Sequence, residues 1–382
     1  MQSTYSFKIF YNTDALPFEW HGIAQQNILL SKPYLAALEQ SSPKNVSCFY
    51  IGLYQNASLC GIAIAQLINL NLLESFGERD KCIKTFIRNL IFKNFSSKVL
   101  LVGNNFFTGQ NAFLFQKNSN KTALVSLLQH AASALKKQLK KQGKTIHITS
   151  LKDFSDTDLP YFDNIVFKAF TQFKTQPNMV FDINNNWKTE PDYVAALSKK
   201  YRDQYKRSHK KADDVVKQKL SHDDLVLYRE QIYKLYFYVA KNAPFNTFFL
   251  AKNHFECLKK NLHDKFLFYG YFLNNQLVGF NTLIKNGAQM ETYFLGYDDT
   301  VQRQKMLYLN MLYDMIGYSI KKEFRQIIFA RTALEIKSSV GAKPIQMTAF
   351  MKHENPIINL FLKFFITYFE PKTIWQERNP FN

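Results

Sequence analysis

Apolar runs broken by short polar turns recur twice along the chain at a fixed distance. Residues 49–63 read FYIGLYQNASLCGIA and residues 267–281 read LFYGYFLNNQLVGFN. Gly52 and Gly270, Asn56 and Asn274, Leu59 and Leu277, and Gly61 and Gly279 coincide at one offset of 218 residues. An apolar run, an Asn-bearing turn and a second apolar run predict a β-hairpin in each stretch. Asn tolerates left-handed backbone, so it belongs at the turn. Glycine inside the returning strand predicts a bulge or a close backbone approach. The order downstream repeats as well. After the first hairpin come a strand over 98–107, a helix over 122–141 with Leu124, Leu127, Leu128, Ala131, Leu135 and Leu139 at helical spacing, and a short strand over 145–149. After the second come a strand over 290–296, a helix over 302–322 with Leu307, Met311, Met315 and Tyr318 near one face, and a strand over 326–330. Strands alternating with helices imply mixed α/β sheets covered by helices. The pattern predicts two tandem domains from an internal duplication, 1–185 and 186–382, parted at the polar run 184–187.

Between the repeats, residues 188–222 place Val194, Leu197, Tyr201, Tyr205, Ala212, Val216 and Leu220 at helical spacing. The rest of that surface holds Lys199, Lys200, Arg202, Lys206, Arg207, Lys210 and Lys211. Ten basic against five acidic residues make the predicted helix a solvated face or a landing surface for an anionic donor, a lipid headgroup or nucleic acid. Near the chain end, residues 357–369 read IINLFLKFFITYF, too short to span a bilayer and interrupted by Lys363, which predicts a buried or interfacial helix.

Composition narrows the partners. The net charge is +19, which draws phosphates, nucleic acid, acidic carrier proteins and anionic lipid. With 36 Phe and 21 Tyr the aromatics fill cores first, and could also line a groove for a greasy chain or stacked bases. Cys48, Cys60, Cys82 and Cys257 have no metal-ligand spacing and there is no H-E-x-x-H, so no structural metal is expected and the thiols suit a reducing compartment. The first residues, MQSTYSFKIFYNTDALPF, do not read as a secretory signal. The expectation is a cytoplasmic protein, or one peripheral at the inner membrane face.

Residues 309–344 read LNMLYDMIGYSIKKEFRQIIFARTALEIKSSVGAKP. This stretch resembles the closing half of the duplicated GNAT-like transferases, among them the Fem-type aminoacyl transferases of cell-wall synthesis and related N-acyltransferases. The family pattern there is a helix, a strand, a small polar turn and a helix carrying Lys before a Phe-Gly-like pair; Lys337 and Gly341 match the Lys and the Gly. The hairpin FLFYGYFLNNQLVGFNTLI resembles the family's second and third strands, and KKYRDQYKRSHKKA its segment between the halves. The order of these weak motifs over 193–375 carries the resemblance more than any one of them. It implies two GNAT-like domains and an acyltransferase that moves an acyl group directly to an amine, a small molecule or a lipid precursor. It implies no tightly bound cofactor, with acyl-CoA or an acyl-carrier thioester as co-substrate. A tRNA-dependent Fem-type transfer and a non-catalytic module of the same fold are the alternatives. The sequence departs from acetyltransferases at GYDDTVQRQKML, which lacks the glycine pair of a pyrophosphate loop and offers Asp298 and Asp299 instead.

Acyl transfer to an amine needs a base, donors for the oxyanion and an acid for the leaving group. Alternation on the strand METYFLG puts Glu291 and Tyr293 on one face, with Met290, Thr292 and Phe294 on the other. Burial would raise the Glu291 pKa toward neutral, which makes it the candidate base. Tyr293 or Tyr308 is the candidate acid. Arg331, Thr332, Glu335 and Lys337 follow the strand IIFA, where sites gather in open α/β sheets. Arg331 could clamp a carboxylate or phosphate, or pair with Glu335 at a helix start. Tyr269 and Tyr271, on the hairpin, complete the candidate substrate-binding set.

Overall fold

The computed structural model describes residues 4–72, 96–243, 246–369 and 375–381; Cys82 lies outside them. Contacts divide the chain into two compact units that are not contiguous in sequence. Unit 1 takes 1–175, 245–251 and 346–372, and unit 2 takes 176–244, 252–345 and 373–382.

Unit 1 is built on strands β1 (Tyr5–Phe10), β2 (Val46–Gln55), β3 (Ser58–Asn69), β4 (Lys98–Val102), β5 (Phe113–Phe115) and β6 (Ile148–Phe154). Its sheet order is β1-β2-β3-β4-β6-β13, where β13 is Lys343–His353 and β5 pairs with β3. The pairing is antiparallel from β1 to β4, parallel between β4 and β6, and antiparallel again between β6 and β13. Helices α1 (Trp20–Ala24), α2 (Lys32–Gln40) and α3 (Lys121–Lys141) cover it. Helix α3 starts where the Asn120 side chain accepts from Ala123 N, and it buries Leu124, Leu128, Ala131, Leu135 and Leu139 against the sheet.

Unit 2 repeats the plan. Strands β7 (Thr171–Asp182), β8 (Val216–Lys219), β9 (Phe266–Leu273), β10 (Gln276–Asn286), β11 (Gln289–Tyr297) and β12 (Gln326–Ala330) run in the order β8-β9-β10-β11-β12-β7. Only β11 and β12 are parallel. The strand that follows β6 in sequence thus joins the sheet of unit 2, and the strand that follows β12 joins the sheet of unit 1. Unit 2 has helices α4 (Glu190–Ala196), α5 (Lys199–Lys211), α6 (His222–Leu227), α7 (Arg229–Asn242), α8 (His254–Leu262), α9 (Asp299–Lys305), α10 (Leu307–Lys321) and α11 (Leu334–Ser339). The last helix, α12 (Pro356–Phe369), belongs to unit 1.

Three of the four identities of the repeat, the first Gly, the Asn and the Leu, have structural causes. Asn56 and Ala57, and Asn274 and Asn275, all have positive φ, as a two-residue hairpin turn demands. In each hairpin the register shifts at the same place, with Cys60 the extra residue in β3 and Val278 the extra residue in β10. A Cβ on Gly52 would stand 3.1 Å from Leu59, and one on Gly270 would stand 2.9 Å from Leu277. Each Gly makes room for the Leu across the ladder.

Three sequence expectations are corrected. The helix expected over 302–322 is two helices, because Met306 is left-handed (φ 51°) and Asp298 starts the first of them. The basic helix expected over 188–222 is α4 and α5 followed by edge strand β8. Thr189 and Asp192 form a capping box for α4, and Ser198 is the N-cap residue of α5. The strands expected over 98–107 and 145–149 are Lys98–Val102 and Ile148–Phe154.

Strand β11 lies hard against α7 at Gly296, where a Cβ would fall 2.6 Å from both Leu235 C and Tyr236 N. Backbone cannot yield as a side-chain tip can. Gly296→Ala is expected to destabilise unit 2 by about 1–3 kcal/mol, read as a lower midpoint of urea unfolding with an unchanged slope.

Candidate active site

In unit 2 the parallel ladder between β11 and β12 covers three positions: Gln289–Gln326, Met290–Ile327 and Glu291–Ile328. Beyond them β12 ends at Ala330 while β11 continues to Tyr297, so the two strands fork. Thr292 Oγ1 donates to Ile328 O at 2.9 Å and closes the base of the fork. Opposite β10 the register of β11 shifts by one residue between Thr292 and Leu295. This bulge corrects the alternation expected for Phe294 alone: Tyr293 stays on the face of Glu291, and Phe294 turns to that same side. Tyr293 hydrogen-bonds to His254 Nε2 of α8 at 2.8 Å, and the Phe294 ring meets Tyr236 of α7 edge-on at 5.6 Å. A bulge re-aims side chains in this way where a ladder ends.

Glu291 sits at the last paired position and is 4% exposed. Burial raises its carboxyl from 4.5 to about 7, while the hydrogen bond donated by Asn286 Nδ2 at 3.1 Å pulls the other way. A carboxyl in that state can hold or release a proton near neutrality. Its neighbour Tyr293 is half-buried, and His254, behind it, is fully buried. No sequence signal marked His254, which lies 39 residues from the tyrosine it touches.

The turn after β12 is strained. Ala330, Thr332 and Ala333 have φ of 59°, 65° and 46°, a region costly for residues with a Cβ and worst for β-branched Thr. Lys337, on α11, holds this turn: its Nζ donates to Arg331 O at 2.5 Å and to Ala330 O at 3.4 Å. Lys337 is 5% exposed, and burial lowers its pKa from 10.5 to about 7. Burial also lowers the Arg331 pKa, to about 10. Glu335 forms its ion pair with Arg378. The two line a cavity of about 420 Å³ with Lys200, Tyr201, Gln204 and Ser339.

Of the remaining predicted residues, Tyr269 and Tyr271 lie on β9, across β10 from the fork, whereas Tyr308 meets the end of β11. Tyr271 donates to Asp314 Oδ2 at 2.7 Å and accepts from Asn281 Nδ2 at 2.8 Å. Tyr269 lies under Lys217 Nζ at 4.7 Å and against the Tyr318 ring. These contacts tie both tyrosines to β8 and α10. Tyr308 opens α10 beside Tyr297, and burial raises its hydroxyl pKa.

No family model and no curated protein sequence matches the chain. Solved structures do. FemX aligns over 95% of this chain and 100% of its own with a TM-score of 0.56 at 10% identity. A tandem GNAT protein from the clavulanic acid biosynthesis pathway aligns over 92% and 98% with a TM-score of 0.51 at 9% identity. The chain has a tandem GNAT-type fold. In the GNAT-type unit 2 the segment after β11 opens α9 on Asp298, whose Oδ1 accepts from Thr300 N at 2.9 Å and Val301 N at 3.2 Å. The backbone amides that a pyrophosphate would take at such a helix start already hold a carboxylate. In the GNAT-type unit 1 the loop after β4 carries buried Asn104, Phe106 and Phe107, and Lys152 Nζ donates to Phe107 O at 2.8 Å.

Proposed function

We propose that unit 2 is an N-acyltransferase whose reaction centre is the fork between β11 and β12. The observation that supports it most is the placement of Glu291, buried with a pKa near 7, at the last rung before the strands part. In this reading an acyl carbonyl lies in the fork, where strand amides no longer engaged between β11 and β12 can polarise its oxygen. The acceptor amine attacks the carbonyl carbon, a C–N bond forms, and the bond to the donor's sulfur or oxygen breaks. Glu291 takes the proton from nitrogen. Tyr293 gives one to the leaving atom and is supplied through His254. Lys337 keeps the turn at Arg331 and Thr332 in its strained shape, so that Arg331 is presented to a carboxylate or phosphate of a substrate.

The donor is a thioester of CoA or of an acidic carrier protein, and the acceptor a small-molecule or lipid-precursor amine. An aminoacyl-tRNA donor is the second reading. The Asp298 carboxylate on the α9 amides favours it, as do six exposed cations on α5: Lys199, Lys200, Lys206, Arg207, Lys210 and Lys211. Incubation with acyl-CoA, acyl-carrier protein or aminoacyl-tRNA and a panel of amines, followed by mass spectrometry, tests both. An amide from a thioester donor is the expected product. Product from aminoacyl-tRNA alone, with tRNA retention falling steeply as salt rises, transfers the reading to the second donor. No amide from any donor overturns both.

A further inference from the structure

Helix α12 is apolar on two adjoining faces, one buried and one exposed. Leu362 is 6% exposed, Ile358 and Ile366 are half-buried beside it, and Asn359 Nδ2 donates to Ala169 O at 3.0 Å. These residues form the face that rests on unit 1. On the adjoining face Ile357, Leu360, Phe361, Phe364 and Phe365 are 72%, 78%, 53%, 66% and 42% exposed. At about 100° per residue these five fill one continuous arc of roughly 140°. Single exposed apolar side chains are ordinary, but five in one arc mark a surface that something covers.

We propose that this face of α12 inserts into the interfacial layer of an anionic lipid bilayer, with the helix lying along the surface. Fourteen residues rise about 21 Å, short of the roughly 30 Å hydrocarbon core, so the helix has the length to lie in the membrane and not to cross it. No helix among the described residues is long and apolar enough to cross. The helix holds no acidic side chain, and Lys363 stands at the edge of its apolar arc, where a lysine reaches headgroups. The segment that Asn359 grips carries exposed Ile165 and exposed Lys168. Charge decides between a bilayer and a second copy of the chain. At +19 two copies repel one another, whereas anionic headgroups attract the same field.

The test is co-sedimentation of the full chain with vesicles of phosphatidylcholine alone and of equal parts phosphatidylcholine and phosphatidylglycerol. The parent chain is expected to sediment with the anionic vesicles, and Leu360→Glu/Phe364→Glu to bind them roughly tenfold less or weaker still. Phe364→Trp keeps the surface apolar, and its added emission is expected to shift to the blue on anionic vesicles. This second variant carries the test if the first does not fold. Failure of the parent to sediment, equal sedimentation of the double variant, or no blue shift overturns the proposal. So does a parent dimer that the double variant converts to monomer while vesicle binding stays unchanged.

Discussion

Glu291→Gln is expected to lower kcat/KM for amide formation by about 10²–10⁴-fold. The parent's rate should rise with pH through about 7 as the carboxyl loses its proton, and the variant should lack that limb. Glutamine keeps the shape and still accepts from Asn286 Nδ2, so the loss reports the missing base. The same substitution carries a stability signature of opposite sign. A carboxyl raised from 4.5 to about 7 by folding stabilises the fold while protonated, and that contribution drains away as pH climbs from about 4.5 to 7. The displacement amounts to roughly 3 kcal/mol. Glu291→Gln should therefore raise Tm relative to the parent at pH 8 more than at pH 5. A variant that loses activity and gains alkaline stability separates a catalytic carboxyl from a merely structural one. Unchanged turnover removes Glu291 from the reaction.

Lys337→Met is expected to reverse its effect on stability across the pH range. Burial depresses the lysine from 10.5 to about 7, so the folded chain gains stability as pH rises from about 7 to 10.5 and loses it on the way down. Below pH 7 the buried charge costs on the order of 5 kcal/mol. Its hydrogen bonds to Ala330 O and Arg331 O return about 1 kcal/mol each. Desolvation wins at low pH, so the unbranched, apolar Met should melt higher than the parent at pH 6. Near pH 10 the neutral amine keeps its hydrogen bonds and the order should invert. Turnover should fall at both pH values, because the turn through Ala330, Thr332 and Ala333 loses its tether. The fall should include a raised KM, since Arg331, which the turn presents to the substrate, is no longer held. Parallel melting curves at every pH would show that the amine is not held as described.

The hairpins were legible because their causes are local. An Asn at a left-handed turn and a Gly opposite a Leu leave marks within a few residues. The break at Met306 left none, since methionine has no intrinsic preference for left-handed backbone, and the Asn310 side chain that donates to Lys305 O and Met306 O there carries no local signal. Strand β8 was hidden because VKQK has one apolar residue and no alternation, lies on a sheet edge, and comes soon after a helix with the same lysines. Glu291 could be singled out as a carboxylate in an apolar strand, but its partner Asn286 and the bulge that re-aims Phe294 depend on register. His254 could not be singled out, because it reaches the site from a helix whose sequence carries no sign of the contact.

The crossed destinations of β7 and β13 bear on how such a gene can change. Its two halves cannot be inherited, lost or grafted separately: a stop codon anywhere between them strips the first sheet of its border strand. A fresh start codon after Asp182 would do the same to the second. Recombination that imports one half from a relative would deliver a ladder with an unsatisfied rim. With β7 and β13 exchanged between the halves, hydrogen bonding makes the pair a single heritable object.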